Sequence, residues 1–259
     1  MTELWGTEIP YKIDDIDFVP TIQAYPAESK GAVIIFPGGG YGVCNKGNEG
    51  EEVAEWFCQN GITAFVVDYR VRPYKHPAEI SDAMRAVKFV RFYAEKYGID
   101  RDKIAVMGFS AGGHLAGSVS VHYDKEMYAD TDRIDKESAK PNASILCYSV
   151  IDMGDYRNDG TKINLIGGRA TENMKNFMSL HKQVTSETPE AFIWHTSEDD
   201  VVSVMNSLLY AEALTKENIL YELHVYPQGP HGMELCNDDP YNAKWKDNLL
   251  DWLRKKGWK

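Results

Sequence analysis

The sequence has no long hydrophobic run and no excess of positive charge. None of its apolar stretches approaches the ~20 residues that a helix needs to span a bilayer. Its formal net charge of −11 disfavours binding to nucleic acid or to an anionic membrane surface, because like charges repel. The first residues, MTELWGTEIPYK, also lack the basic segment and apolar stretch of a secretory signal. We therefore expect no nucleic-acid partner, no membrane partner and a cytoplasmic location.

Cysteines are few and widely separated along the chain. Cys44, Cys58, Cys147 and Cys236 form no CxxC pair and have no spacing typical of a metal site. Cys58 and Cys147 lie in segments with apolar periodicity, so we predict that both are buried free thiols. Free thiols favour the reducing environment of the cytoplasm. We predict that the protein binds no metal ion.

Short segments rich in apolar and β-branched residues alternate with helical patterns along the chain. None of these segments alternates cleanly between apolar and polar residues, which is typical of strands covered on both faces. The predicted strands are AVIIF (32–36), ITAFVVDY (62–69), KIAVMGF (103–109), ASILCYSV (143–150), AFIWHT (191–196) and LYELHVY (220–226). The alternation predicts an α/β fold with a mostly parallel central sheet and helices on both faces.

Helical patterns fill most of the space between the predicted strands. They are EGEEVAEWFCQNG (49–61), PAEISDAMRAVKFVRFYAEKYG (77–98), SVMNSLLYAEALTKEN (203–218) and NAKWKDNLLDWLRKK (242–256). Residues 1–30 are irregular, and IDFVPTIQAYP (16–26) is expected to supply an antiparallel edge strand or two. Residues 152–190 contain no clear strand, and we expect them to form an insertion that borders the functional site. We predict one domain over residues 1–259, without a large cap domain.

The segment Gly108-Phe109-Ser110-Ala111-Gly112 fits the GxSxG pattern of a nucleophile elbow. It follows a predicted strand and precedes a helical stretch, which is the context that such an elbow requires. A serine on so tight a turn adopts a strained backbone, and only glycine-sized residues fit two positions away on either side. The dipole of the following helix favours negative charge that develops at the serine. We predict that Ser110 is a catalytic nucleophile.

A serine nucleophile needs a general base, and that base needs an acidic residue to orient it. After an elbow of this kind, the acid comes next in the chain and the histidine comes last. His231 lies in the GPHG loop (229–232) after the last predicted strand, which favours it over the other six histidines. The loop after the preceding strand supplies Glu198, Asp199 and Asp200 as candidate acids.

The glycine-rich stretch IFPGGGYG (35–42) follows an earlier predicted strand. A dinucleotide fingerprint would need its third glycine at Val43 or Asn45, and neither position holds one. A phosphate-binding P-loop would need a lysine where Asn48 stands. The spacing therefore excludes both nucleotide motifs, and a purely structural turn stays open as an alternative.

An oxyanion hole is the function that the predicted serine elbow would require of this glycine stretch. Attack by Ser110 on a carbonyl creates an oxyanion, and each preformed N–H donor to it contributes about 3 kcal/mol. Glycine backbone presents such N–H groups without a Cβ in the way. We predict that the N–H groups of Gly39, Gly40 and Ala111 are the donors.

The complete set of motifs resembles the α/β-hydrolase superfamily, its esterase/lipase branch with an HGGG-type loop, and within it the acetyl xylan esterase-like (sugar acetylesterase) family. The resemblance extends from about residue 30 to the C-terminus. The matching segments are PGGGY (37–41), DYRVRPYKHPAEISDAMRA (68–86), GFSAGGHLA (108–116), HTSEDDVVSVMNS (195–207) and GPHG (229–232). In similar hydrolases the acid commonly precedes a valine by three positions, which favours Asp199 over Asp200. One departure is Pro37, which replaces the histidine of the HGGG motif.

The resemblance implies a serine carboxylesterase that removes acetyl groups from xylo-oligosaccharides or related sugars and needs no cofactor. By position, Tyr41, Tyr148, Met153 and His195 are candidates to line the acyl or sugar pocket, with ordinary core packing as the alternative for each. A general short-chain carboxylesterase, a peptidase or amidase, and a non-catalytic ligand-binding protein stay open as alternative functions. The expected partner is a small ester or an acetylated oligosaccharide, and the oligomeric state is open, with a homodimer among the alternatives.

Overall fold

An eight-stranded sheet forms the centre of the molecule in the computed structural model, which describes all 259 residues. The strands are β1 (Thr2–Glu3), β2 (Thr21–Tyr25), β3 (Ala32–Phe36), β4 (Thr63–Asp68), β5 (Ile104–Phe109), β6 (Ala143–Cys147), β7 (Ala191–Thr196) and β8 (Tyr221–Tyr226). Their spatial order is β1-β2-β4-β3-β5-β6-β7-β8. β1 pairs antiparallel with β2, and β2 pairs antiparallel with β4. All the other neighbouring strands pair in parallel. The predicted mostly parallel sheet is confirmed.

Seven α-helices cover the two faces of this sheet. They are α1 (Glu52–Gln59), α2 (Ala78–Phe92), α3 (Ser110–His122), α4 (Asp159–Ile166), α5 (Glu172–Met178), α6 (Met205–Lys216) and α7 (Lys244–Lys255). In β3, Ile34 and Phe36 face one hydrophobic cluster, which includes residues of α2, α3 and α6. Val33 and Ile35 face a second cluster, built with α1 and α7. Because both faces of β3 are buried, its sequence is a continuous run of apolar residues.

Several local predictions differ from the structure. The prediction that all strands are covered on both faces is wrong for β8, because β8 is an edge strand and exposes Tyr221 and Val225. The strand predicted over 143–150 ends at Cys147, because Tyr148 has a φ of +36° and leaves the extended conformation. Cys147 is buried as predicted, but Cys58 is only half-buried beside the Pro26 carbonyl.

The N-terminal region supplies the two antiparallel strands. The stretch IDFVPTIQAYP contributes β2, as predicted, whereas the outermost strand β1 comes from residues 2–3, before that stretch. None of the helices has the length and the apolar character needed to cross a membrane.

Candidate active site

Ser110 lies on a sharp turn between the end of β5 and the start of α3. Its φ of +52° is in the left-handed region, which strains a residue with a side chain. A Cβ on Gly108 would lie 2.1 Å from the Gly112 carbonyl oxygen, and one on Gly112 would lie 2.0 Å from the Phe36 oxygen. Only glycine fits at either position, so these contacts explain why the elbow has the GxSxG sequence.

A chain of hydrogen bonds connects three of the predicted site residues. Ser110 Oγ lies 2.9 Å from His231 Nε2, and His231 Nδ1 lies 2.7 Å from Asp199 Oδ2. Because Nδ1 faces a carboxylate, it carries the proton, and Nε2 accepts from the serine hydroxyl. The three residues follow β5, β7 and β8, whose carboxyl ends meet at one edge of the sheet. Ligands of open parallel sheets bind at this edge.

The Asp199 carboxylate is buried and receives four hydrogen bonds or close polar contacts. Oδ1 accepts from the N–H groups of Val201 (2.9 Å) and Val202 (2.8 Å), and Oδ2 lies 3.3 Å from His195 Nε2 as well as beside His231. Burial by itself would raise the pKa of Asp199, but the hydrogen bonds from His195 and His231 hold it well below its ordinary value. Asp199 is therefore an ionised carboxylate that faces the imidazole.

The other two candidate acids do not contact His231. Asp200 is exposed to solvent. Glu198 is also exposed, and its Oε2 accepts a hydrogen bond from the Gly229 N–H at 2.9 Å. Glu198 thus holds the start of the loop that carries His231, without contacting the imidazole.

The glycine loop lies directly beside the serine. A Cβ on Gly38 would be 3.3 Å from Ser110 Cβ. Gly39 and Gly40 have φ values of +119° and +62°, and their N–H groups donate to no protein acceptor. Ala111 is the second residue of α3, so its N–H also has no acceptor within the helix. The three predicted oxyanion donors are therefore unpaired groups next to Ser110 or in the adjacent loop.

Pro37 is held on two sides. Its carbonyl oxygen accepts from the Tyr69 hydroxyl at 2.5 Å, and its ring lies against Gly50, where a Cβ would be 3.2 Å from Pro37 Cγ. The loop is thus fixed at its start by a buried tyrosine, where the HGGG motif carries a histidine.

Helix α4 brings the segment 152–190 to both loops of the site. Asn158 caps α4 by accepting from the Thr161 N–H, and its Nδ2 donates to the Val201 carbonyl oxygen at 3.2 Å. Near the other end of the helix, Asn164 Nδ2 donates to the Gly40 carbonyl oxygen at 2.9 Å. α4 therefore connects the loop that holds the three candidate acids (residues 197–204, the acid loop) with the glycine loop.

All four predicted pocket residues are buried, and for Tyr41, Met153 and His195 the prediction of a pocket-lining role is wrong. Tyr41, Met153 and His195 are all 0% exposed. The Tyr41 hydroxyl pairs with His114 Nδ1 at 2.9 Å, which also gives His114 a structural role. His195 Nδ1 accepts from Ser207 Oγ, and its Nε2 donates to the Val202 carbonyl oxygen at 2.9 Å and lies 3.3 Å from Asp199 Oδ2. The ring is therefore fixed in the core beside Asp199 and cannot contact a substrate.

The fourth candidate, Tyr148, packs beside His231. Its ring meets the His231 ring edge-on, with 5.0 Å between the ring centroids, and its hydroxyl donates to Glu49 Oε1 at 2.9 Å. The other oxygen of Glu49 accepts from the Gly38 N–H at 2.7 Å. Sequence reasoning missed Glu49, because nothing distinguishes it from the exposed acidic residues that follow it.

The serine elbow, the histidine and the carboxylate at the carboxyl edge of a mostly parallel sheet define an α/β-hydrolase fold without a large cap. Residues 22–214 match the BD-FAE family, and the chain belongs to this family of α/β-hydrolase esterases. The resemblance inferred from the sequence motifs is thereby confirmed. No group of three or more His, Cys, Asp or Glu side chains is arranged to hold a metal ion.

Two curated proteins and one solved structure are similar to the chain over most of its length. Endo-1,4-beta-xylanase B of Butyrivibrio fibrisolvens is 39% identical over 235 residues, which are 87% of this chain and 36% of that protein. The acetylxylan esterase of Xylanibacter ruminicola is 30% identical over 228 residues, which are 86% of this chain and 45% of that protein. The chain thus spans less than half the length of these two relatives. The acetyl ester-xyloside bifunctional hydrolase of Caldicellulosiruptor lactoaceticus is 39% identical, with a TM-score of 0.95 over 100% of this chain and 96% of that one.

Proposed function

We propose that this protein is a serine carboxylesterase that removes acetyl groups from xylo-oligosaccharides or related acetylated sugars. The observation that carries the proposal is the hydrogen-bonded series Ser110–His231–Asp199 beside two unpaired glycine N–H groups. The choice of substrate is supported by the names of the relatives, which describe an acetylxylan esterase and an acetyl ester-xyloside hydrolase.

The reaction would proceed by acyl transfer in two steps. Ser110 Oγ attacks the ester carbonyl carbon while His231 Nε2 takes the hydroxyl proton, and the imidazolium then passes that proton to the leaving sugar oxygen. The ester bond breaks and the acyl group remains on Ser110. Water then attacks the acyl-enzyme with His231 as base, which releases the carboxylic acid and restores the serine.

Asp199 and the backbone donors would stabilise the charges that form along this path. Asp199 holds Nδ1–H of the imidazole and stabilises the imidazolium that forms during each attack. The N–H groups of Gly39, Gly40 and Ala111 receive the oxyanion, where each donor contributes about 3 kcal/mol to transition-state stabilisation. These roles need no group beyond the chain and water.

The organisation of the chain is part of the proposal. We propose that residues 1–259 act as one hydrolase domain in which residues 152–190 border the active site. The continuous eight-stranded sheet supports the first statement, and the contacts of α4 with the acid and glycine loops support the second. The cytoplasmic location and the homodimer stay predictions.

The central experiment compares the wild-type protein with Ser110→Ala. We expect the variant to keep the wild-type circular dichroism spectrum and to lose hydrolysis of p-nitrophenyl acetate by at least about 1000-fold. A fluorophosphonate probe should add to Ser110 of the wild-type protein, as detected by mass spectrometry. Undiminished hydrolysis by Ser110→Ala would refute the proposed nucleophile, and absence of the adduct would favour a non-catalytic protein.

The substrate is tested by comparing acetylated xylo-oligosaccharides with acetylated alcohols that are not sugars and with aminoacyl anilides. We expect the highest kcat/KM for the acetylated oligosaccharides. Equal values for sugar and non-sugar acetates would support a general short-chain carboxylesterase, and faster anilide cleavage would support a peptidase or amidase.

A further inference from the structure

Glu49 is a buried carboxylate at the edge of the proposed active site. It lies in a single π-helical turn (Gly47–Glu51) that connects the glycine loop with α1, and its side chain is 5% exposed. Glu51 and Glu52, which follow it, are exposed. Removing a carboxylate from water is costly unless hydrogen-bond donors replace the water. The burial of Glu49 alone among these acidic residues therefore calls for specific donors.

Each oxygen of Glu49 has a donor from a different loop. Oε2 accepts from the Gly38 N–H at 2.7 Å, and Oε1 accepts from the Tyr148 hydroxyl at 2.9 Å. Burial holds the pKa of Glu49 above its ordinary value, and the bonds from Tyr148 and Gly38 oppose this shift because they stabilise the carboxylate. Hydrogen bonds to a charged group stabilise by about 1.5–3 kcal/mol, more than bonds between neutral groups.

Gly38 is the residue through which Glu49 reaches the proposed oxyanion hole. Its N–H is held by Glu49, and the next two residues carry the unpaired N–H groups of Gly39 and Gly40. Two consecutive glycines with positive φ have little intrinsic preference for one conformation. A strong hydrogen bond at Gly38 therefore restricts the direction in which the donors point.

Tyr148 extends the same connection to the base. Its hydroxyl oxygen accepts from the Glu234 N–H at 3.1 Å, three residues beyond His231. Its ring packs edge-on against His231, and its backbone N–H donates to the Trp194 carbonyl oxygen at 2.8 Å. Tyr148 is therefore fixed at its backbone and at its hydroxyl, and its ring restricts the orientation of the imidazole.

We infer that Glu49 is a positioning residue for ester hydrolysis: it holds the oxyanion donors through Gly38 and the imidazole of His231 through Tyr148. This inference rests on the proposed function, because it assigns roles relative to that reaction. Glu49 does not touch the reacting atoms. Its effect should appear in kcat, since loops that are misplaced by about 1 Å can cost about 100-fold in rate without abolishing substrate binding.

The first set of variants separates the two connections. We expect Glu49→Ala to lower kcat for p-nitrophenyl acetate about 30- to 100-fold while KM changes less than about 3-fold. Glu49→Gln keeps an oxygen that accepts from only one of the two donors, so its kcat should lie between those of Glu49→Ala and the wild type. Tyr148→Phe should lower kcat about 5- to 10-fold. The double variant Glu49→Ala/Tyr148→Phe should have a kcat within about 2-fold of that of Glu49→Ala, because both changes break the same network.

Glu51→Ala is the matched control, because it removes an exposed carboxylate from the same turn. It should keep the wild-type kcat. A second measurement, the rate at which a fluorophosphonate adds to Ser110, reports on the same donors and base without depending on ester turnover. We expect Glu49→Ala to slow this addition at least about 10-fold, with partial recovery in Glu49→Gln.

The two measurements distinguish a failure of this inference from a failure of the proposed function. If the wild type adds the probe but hydrolyses no ester, the proposed function fails, and the addition rates still decide the role of Glu49. A Glu49→Ala variant that is folded and matches the wild type in addition rate and in kcat would overturn the inference. The same holds if KM rises while kcat is unchanged, or if the losses in the double variant multiply.

Discussion

Gly39→Ala and Gly40→Ala add the same methyl group to adjacent residues of the glycine loop, yet their surroundings differ. At Gly39, φ is +119°, and the new Cβ would lie 2.3 Å from the Val43 carbonyl oxygen and 2.8 Å from Val43 Cγ2. Because the first of these atoms belongs to the backbone, the loop itself must move. At Gly40, φ is +62°, and the nearest atom to the new Cβ is Thr161 Oγ1 at 3.9 Å. That substitution costs only the left-handed conformation, about 1–2 kcal/mol.

These geometries give different expected losses of activity. Movement of the loop at Gly39 displaces the proposed oxyanion donors, and the loss of one donor lowers kcat about 100- to 1000-fold. We therefore expect Gly39→Ala to lose at least about 100-fold in kcat. Gly40→Ala should keep kcat within about 5-fold and lose about 1–2 kcal/mol in the free energy of unfolding.

The assay is the steady-state hydrolysis of p-nitrophenyl acetate, with urea denaturation of each variant as the control for folding. The kcat of each variant is measured without urea, under conditions where more than nine tenths of that variant is folded. Loss of folded protein then cannot account for a difference in kcat between the two variants. A wild-type kcat in folded Gly39→Ala would refute the assignment of the loop as the oxyanion hole. Equal large losses in both variants would refute the geometric distinction between the two glycines.

Further substitutions test the acid and the pH dependence of stability. Asp199→Asn should lower kcat about 1000- to 10,000-fold, because an amide cannot hold His231 in the same tautomer. Asp200 is exposed, so Asp200→Asn should leave kcat unchanged. A larger loss in Asp200→Asn than in Asp199→Asn would assign the role of the acid to Asp200. Glu79 is fully buried without a partner for either carboxyl oxygen, and burial raises its pKa to about 8. The unfolded chain therefore releases this proton near pH 4.5 while the folded chain keeps it, so stability is lost as pH rises from about 5 towards 8. At about 1.4 kcal/mol per pH unit, the wild type should lose about 2–3 kcal/mol between pH 5 and pH 7 relative to Glu79→Gln in urea denaturation, and parallel pH profiles would contradict the burial argument.

Ser110, His231 and Asp199, which the structure brings into one hydrogen-bonded series, could be selected from the sequence because each depends on a local rule or on chain order. A buried strand, a glycine on either side of Ser110 and a following helix are all features of neighbouring residues, and the elbow needs all of them. The chain order then narrows the search for His231 and Asp199 to the loops after two strands. Parallel strands bring their carboxyl ends to one edge, so residues that are far apart in the chain converge there without any pairwise signal.

The predictions that Tyr41, Met153 and His195 line the pocket fail because position in the chain does not give the direction of a side chain. His195 ends a strand near the acid, as expected, but its ring turns into the core between Ser207 and Asp199. Tyr41 follows the glycine loop, but its φ of +55° is accompanied by a hydroxyl that reaches the buried His114. In both cases a polar partner inside the core decided the orientation, and that partner belongs to a helix or loop that the sequence pattern does not connect with the residue.

Glu49 is the converse case, a residue of the site that the sequence does not identify. The sequence around it, Asn48-Glu49-Gly50-Glu51-Glu52, is typical of a solvated helix start. Only Glu49 and Gly50 are buried there, and the residues on either side of these two are exposed. What makes this position different is its distance in the chain from its partners: 11 residues to Gly38 and 99 to Tyr148. Motifs identify the groups that we propose to exchange protons and form bonds, because the proposed chemistry restricts their residue types. The groups that hold them are restricted only by packing, so a carboxylate such as Glu49 can be recognised only once the loops after β3, β6 and β8 are seen to meet around it.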